Sequence, residues 1–309
     1  MNAPMDILTE FPVRKSRHQK KAFRDAVSDW LSRNGYGCRE EAGSLGARNL
    51  VIGDPEKARF LITAHYDTCA GMPVPNLITP CNVILYVMYQ LVVTAVILLP
   101  AVLAGIAVEW LADSLSAGLL VFLILIWANI ALMLFGPANP RNANDNTSGV
   151  VTLLEIAGTM PKNQRDKVCF VLFDLEELGV IGSASYRKAH KAQVQKQIVL
   201  NLDCVGDGNE IMFFPTGKLK KDPKKMALLR TCCGCFGEKR VSLFEKGLAV
   251  YPSDQSNFPY GVGICALRKG KLARYLSRIH TGRDTILEQT NVNILRAALT
   301  SLVSRSQLD

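Results

Sequence analysis

The feature that most restricts how this chain can fold is residues 82–140, a stretch that carries almost no charge. From Asn82 to Val108 there is no charged side chain, and from Ser114 to Pro140 there is again none; between them lie only Glu109 and Asp113. Each run supplies about 20 or more mainly apolar positions, enough to cross a hydrocarbon core ~30 Å thick at about 1.5 Å per residue. A helix buried inside a soluble domain is rarely that long and that apolar all round. The pattern predicts a transmembrane helical hairpin spanning 82–140, with a packed soluble subdomain and a hydrophobic dimer arm as alternatives.

Charge supplies an orientation. The formal net charge is +9 over 309 residues, and because residues 82–140 hold two acids and no Lys or Arg, the remainder stands at +11. Basic residues flank the hairpin while the acids sit at its tip, so the positive-inside rule places the rest of the chain in the cytoplasm as part of an integral membrane protein. The N-terminal basic stretch has no apolar run or small-residue cleavage site after it, and no cleaved signal peptide is expected. The basic run Lys218, Lys220, Lys221, Lys224 and Lys225 reads first as a solvated face and second as a contact for anionic headgroups. No aromatic-interleaved basic motif points to nucleic acid. Nine scattered cysteines, an odd number, read as reduced cytosolic thiols and not as a disulfide framework. The cluster Cys232, Cys233 and Cys235 lacks the second ligand pair of a structural zinc site.

Outside 82–140 the periodicity predicts one domain, residues 1–81 and 141–309, interrupted by the hairpin. An amphipathic helix is expected over 17–33, ending at Asn34-Gly35. Strands are expected at 49–52 and 58–65. Then come a helix at 147–159, a strand at 167–174, a helix at 182–192 and a strand at 197–203. Further segments follow: strand 210–214, helix 223–233, strand 263–267 and helix 291–304. This alternation implies an α/β fold with three α/β/α layers and a mixed, mainly parallel central sheet.

In open α/β sheets, ligands gather at the carboxyl ends of the strands. Several segments place acids or histidines there. His65-Tyr66-Asp67 ends one strand, where Asp67 is positioned to accept from the far nitrogen of His65 and fix its tautomer; alone, His65 reads first as a structural histidine. Asn144-Asp145-Asn146-Thr147-Ser148-Gly149 opens a helix and alone reads as a cap. Asp174-Leu175-Glu176-Glu177 follows a strand, and adjacent carboxylates in a crevice repel unless a cation or proton is present. Asp203 terminates another apolar strand. Far downstream lies His280, with Asp284 nearby. Mixed imidazole and carboxylate donors suit zinc, with cobalt or manganese as substitutes.

The order His-x-Asp, Asp-Asn-x-Ser-Gly, Glu-Glu, Asp and His resembles the co-catalytic di-zinc metallopeptidases, the family of bacterial leucyl aminopeptidases and glutamate carboxypeptidases. The resemblance covers essentially the whole chain outside the hairpin. It implies a zinc-exopeptidase (phosphorylase/hydrolase-like) fold and two Zn2+ ions. By residue, it implies that Asp145 bridges the metals, His65 and Asp203 complete one position, and Glu177 and His280 complete the other. Glu176 matches the general base and Asp67 the carboxylate that orients His65. Tyr251, Ser253 and Asp254 fall in a segment similar to the family's substrate-side loop. The expected activity is removal of N-terminal residues from short peptides by a membrane-anchored aminopeptidase. Alternatives on the same fold are a carboxypeptidase, a one-zinc glutaminyl cyclase and a catalytically inactive membrane-anchored binding protein; a transporter accessory lacks intramembrane charge to mark a path. Oligomeric state and side-chain preference are not encoded in any motif. The chain departs from the soluble family pattern in the 82–140 insertion, which is flanked by Asp67 and Asp145 and so belongs near the site's mouth.

Overall fold

A computed structural model describes residues 1–72 and 74–305. Its centre is a twisted mixed sheet of β1 (Cys38–Ala42), β2 (Arg48–Ile52), β3 (Phe60–His65), β4 (Val168–Phe173), β5 (Ile198–Leu202), β6 (Glu210–Pro215), β7 (Gly234–Phe236), β8 (Lys239–Leu243), β9 (Gly261–Lys269) and β10 (Arg274–Tyr275). The strand order is β1-β2-β4-β3-β5-β9-β6-β8-β7, with β10 beside β9. The four central strands, β4-β3-β5-β9, are mutually parallel. Both flanks turn antiparallel, at β2 against β4 and at β6 against β9. The sheet is therefore parallel through its doubly buried centre and mixed beyond it, with β6 parallel to β8 and both outermost pairs, β1-β2 and β7-β8, antiparallel.

Near-continuous apolar sequence in the central strands is explained by two-sided burial. Phe60, Ile62, Val168, Phe170, Leu172, Ile198 and Leu200 pack on one face with Phe23, Val27 and Leu31 of the helix Arg17–Arg33 and with Leu153, Leu295 and Leu299 of two later helices. The intervening residues Leu61, Val171, Phe173 and Val199 face the other way, against Tyr186 and Val194. The helix Arg17–Arg33 starts where expected because Ser16 accepts from the Gln19 amide at 3.2 Å while the Gln19 side chain accepts from the Ser16 amide at 2.9 Å, a capping box. The edge strand β1 was not foreseen: Arg39, Glu40 and Glu41 mask its β character, and such charges suit a solvent-facing edge. The cysteine-rich segment forms the opposite edge, where β7 pairs with β8. All nine cysteines are free.

Residues 82–140 form two long helices, Val83–Ala112 and Leu115–Phe135, joined at Asp113 and Ser114. Both are long and apolar enough to cross a membrane, and only 17% and 6% of their most apolar stretches are buried, so neither is a core helix of the globular body. The two pack on each other through small residues. A Cβ placed on Gly118 would lie 2.6 Å from the Gly105 carbonyl oxygen and 2.8 Å from the Glu109 Cβ, so the backbones meet only because both positions are glycine. Gly118→Leu should splay the hairpin at a cost of about 1–3 kcal/mol, read as a lower unfolding temperature in detergent; an unchanged transition would show that this crossing contributes nothing.

Candidate metal centre

The parallel strands deliver the candidate residues to one end of the sheet. His65 is the last residue of β3 and is paired with Phe173, the last of β4. Glu176 and Glu177 follow three and four residues after Phe173, beyond the left-handed Leu175 (φ 57°). Asp203 comes directly after β5, its amide donating to the Ile264 carbonyl on β9 at 3.0 Å. Asp145 lies in an irregular turn, Asn144–Ser148, ahead of the helix Gly149–Thr159. That helix can approach so closely because a Cβ at Gly149 would collide with the Leu202 carbonyl. His280 and Cys204 also have left-handed backbones, φ 58° and 55°. Non-glycine residues in this region are uncommon and cost free energy, and here they cluster on the loops that carry the acids and imidazoles.

The five residues expected to hold metal converge. One Asp145 oxygen, Oδ1, lies 3.3 Å from His65 Nε2, and the other, Oδ2, lies 2.9 Å from His280 Nε2. Asp203 Oδ1 is 3.7 Å from His65 Nε2, and Glu177 Oε2 is 3.5 Å from His280 Nε2. Glu176 Oε2 stands 4.0 Å from His65 Nε2. The donor atoms of His65, Asp145 and Asp203 lie within 4.8 Å of one another, as do those of His65, Glu176 and Glu177. A third group meets the same limit and includes a residue the sequence reading passed over: Cys69 with Glu177 and His280.

Supporting contacts differ in part from expectation. The carboxylate of Asp67 is 3.6 Å from His65 Nδ1, whereas the carbonyl of Asp67 is nearer, at 3.2 Å. That carboxylate instead accepts the amides of Glu176 at 3.1 Å and Glu177 at 3.2 Å, because Asp67 lies past the strand end and no longer follows its alternation. Asp284 accepts the amides of Asn144 at 2.8 Å and Asp145 at 2.9 Å, so it holds the Asp145 turn and not His280. Tyr251 donates its hydroxyl to the Asp203 carbonyl at 3.0 Å, and Ser253 accepts from Asn201 at 3.0 Å. Ser253 and Asp254, in the segment expected to form a substrate-side loop, are 1% and 0% exposed and lie within the core. Arg14, fully buried, was also missed, since it reads in sequence as one of a basic run. Its guanidinium donates to the Tyr66 and Phe11 carbonyls, and burial pushes its pKa down to about 10 against the opposing charges of Asp67 and Asp145.

Burial dominates the electrostatics. It pushes Glu177, Asp254 and Asp284 each up to about 7, and Glu176 well above the usual carboxylate range. Burial opposes ionisation of Asp145 too, but hydrogen bonds with His280 and His65 outweigh it and hold that acid below the usual range. Burial disfavours charge on both imidazoles, yet Glu176 beside His65 and Glu177 beside His280 raise them well above the ordinary value. Glu177 Oε1 is buried with no hydrogen-bond partner among the described residues. A divalent cation would satisfy that oxygen and offset the repulsion, and oxygen and nitrogen donors suit zinc. The residues fit such a group.

A cavity of about 470 Å³ opens beside this cluster. Asp67, Cys69 and Glu177 form one wall, and Met133, Leu134 and Phe135 at the end of the second hairpin helix form another. The insertion thus does reach the mouth of the site.

Comparison with known proteins gives the class. Residues 126–302, more than half of the chain, match the model of peptidase family M28. The chain belongs to that family, and membership implies zinc. A stretch of 73 residues is 38% identical to aminopeptidase YwaD of Bacillus subtilis, covering 23% of this chain and 16% of that protein. The fold is similar to a Zn-dependent exopeptidase from Parabacteroides distasonis (TM-score 0.62, 16% identity, 97% of this chain and 94% of that one). It is also similar to a glutaminyl cyclase from Porphyromonas gingivalis (TM-score 0.61, 16% identity, 99% and 97%).

The shifts set a pH dependence for the metal-free protein. Glu177, Asp254 and Asp284 keep protons in the folded chain that the unfolded chain, with carboxyl pKa values near 4, releases, so folded stability falls as pH rises from about 4 to 7. The raised imidazoles add stability that is complete below about 6.5 and fades as pH climbs through their folded values. Both trends share a sign. Chelator-treated protein should lose thermal stability steadily between about pH 5 and 8, and an increase over that window in thermal scans would contradict it.

Proposed function

We propose that this chain is a membrane-anchored di-zinc aminopeptidase that removes N-terminal residues from short peptides. The observation that carries the reading is the Asp145 carboxylate, whose two oxygens face two different imidazoles, His65 and His280. In this reading His65, Asp145 and Asp203 would hold one zinc, and Glu177, His280 and the other oxygen of Asp145 would hold a second. Zinc at those positions would polarise the scissile carbonyl and make water more acidic, with cobalt or manganese as substitutes. Glu176 accepts the proton of the attacking water as its oxygen bonds to the carbonyl carbon. It then delivers that proton to the leaving amine as the carbon–nitrogen bond breaks. Asp67 keeps Glu176 and Glu177 in place through their backbone amides. The hairpin spans the bilayer with Glu109 and Asp113 on the far side, and the peptidase domain lies in the cytoplasm.

The cavity gives the reading a side-chain preference. Met133, Leu134, Leu175 and Leu178 line it, which suits an apolar residue at the substrate's N-terminus. An imidazole facing each oxygen of Asp145 favours a two-metal peptidase over a single-zinc cyclase.

Glu176→Gln should lower turnover by roughly 10²–10⁴-fold with zinc content near normal, whereas Glu177→Ala should lose zinc by elemental analysis. Full activity in the first variant removes Glu176 from its role. Digestion of a peptide library by detergent-solubilised protein should give chelator-sensitive release of free N-terminal amino acids; release from the C-terminus, or N-terminal cyclisation without hydrolysis, would sink the aminopeptidase reading. Replacing Met133 and Leu134 together by Ala should cut kcat/KM for large apolar N-terminal residues by roughly tenfold, with little change for N-terminal Ala.

A further inference from the structure

Cys69 places a thiol beside the candidate metal centre. It lies two residues past Asp67, its sulfur grouped with donor atoms of Glu177 and His280 inside a 4.8 Å limit. It also lines the cavity between the cluster and the hairpin. Its loop is fixed from both sides: the Gly71 amide donates to the Pro137 carbonyl at 2.9 Å and the Met72 amide to the His280 carbonyl at 2.8 Å. A second, independent observation marks this as a cation position. The Glu177 side chain is 10% exposed, and its Oε1 is buried without a hydrogen-bond partner among the described residues.

We propose that Cys69 supplies a sulfur donor to the metal on the Glu177 and His280 side, giving that position a mixed sulfur, nitrogen and oxygen set while the His65 and Asp203 side keeps only nitrogen and oxygen. This rests on the metal reading above and adds a residue to it. On binding, a bond forms between Sγ and the divalent ion, and the thiol proton leaves to solvent. A thiolate is a soft donor, so this position should prefer zinc, cobalt or cadmium over manganese or magnesium. The two positions of one site would then differ in which metals they accept and in how tightly they hold them. The same bond would shield Cys69, otherwise reachable from the cavity, against alkylation.

X-ray absorption at the zinc edge tests this on full-length, detergent-solubilised protein loaded with zinc. The expected result is a zinc–sulfur path at ~2.3 Å alongside the shorter nitrogen and oxygen shell. In Cys69→Ala and Cys69→Ser that path should vanish while zinc remains bound on the other side. Iodoacetamide labelling mapped by mass spectrometry should show Cys69 modified in metal-free protein and protected by zinc. A shell of nitrogen and oxygen alone in zinc-loaded wild type overturns the sulfur assignment and leaves the metal site standing. A sulfur path that persists in both variants also overturns it, and points to Cys204 or to the Cys232, Cys233 and Cys235 segment. Protein that takes up no zinc overturns both this proposal and the reading beneath it. If both variants misfold, the wild-type spectrum and the labelling still decide the matter.

Discussion

Confinement of negative charge is the constraint around which the structure is arranged. Asp67, Asp145, Glu176, Glu177, Asp203, Asp254 and Asp284 meet at one end of the sheet, most of them nearly out of solvent, with His65, His280, Arg14 and Lys15 as the basic groups facing them. In a medium of low effective dielectric such a cluster opposes folding. Backbone amides offset part of the repulsion, two of them on Asp67 and two on Asp284. Lys20 adds a buried ion pair with Asp174 at 2.8 Å, at the base of the Glu176 loop. What remains unsatisfied, Glu177 Oε1 above all, is the part that a divalent cation would complete.

The hairpin is wired to this cluster and does not merely hang from it. Its second helix ends at Gly136, whose carbonyl accepts from Lys15 at 2.7 Å, and the next residue, Pro137, accepts the Gly71 amide. Asn139 donates to the Asp284 carbonyl at 2.7 Å, and the Asp284 carboxylate in turn holds the Asp145 turn. Asp284 thus links Asn139, just past the hairpin, to the Asp145 turn through two hydrogen-bonded steps. The insertion also sets an apolar wall, Met133, Leu134 and Phe135, beside the site.

Much of the frame was legible in the chain because burial and periodicity are local signals. The central strands, the helix Arg17–Arg33 with its Ser16 cap and the apolar hairpin all follow from patterns within about 20 residues. Elements whose identity is set by distant partners were harder to see. β1 is charged and becomes a strand only because Val51 and its neighbours offer an edge, and β7 and β8 depend likewise on β6. Arg14 reads as one of several surface cations until the fold closes Phe23 and Tyr66 over it.

The sequence by itself determined the class of chain: an α/β domain with acids and histidines at its strand ends, interrupted by a pair of apolar helices, in an order that resembles one family. Only the tertiary structure decided which atoms face each other. Asp67 turns to the Glu176 and Glu177 amides because it sits beyond the last residue of β3. Ser253 and Asp254 are buried because their turn packs against β5, and Cys69 joins Glu177 and His280 because three loops, each more than a hundred residues from the next, fold together. Residue order carries the chemical inventory, whereas distances between side chains on separate strands are fixed by register and packing, which no local pattern encodes.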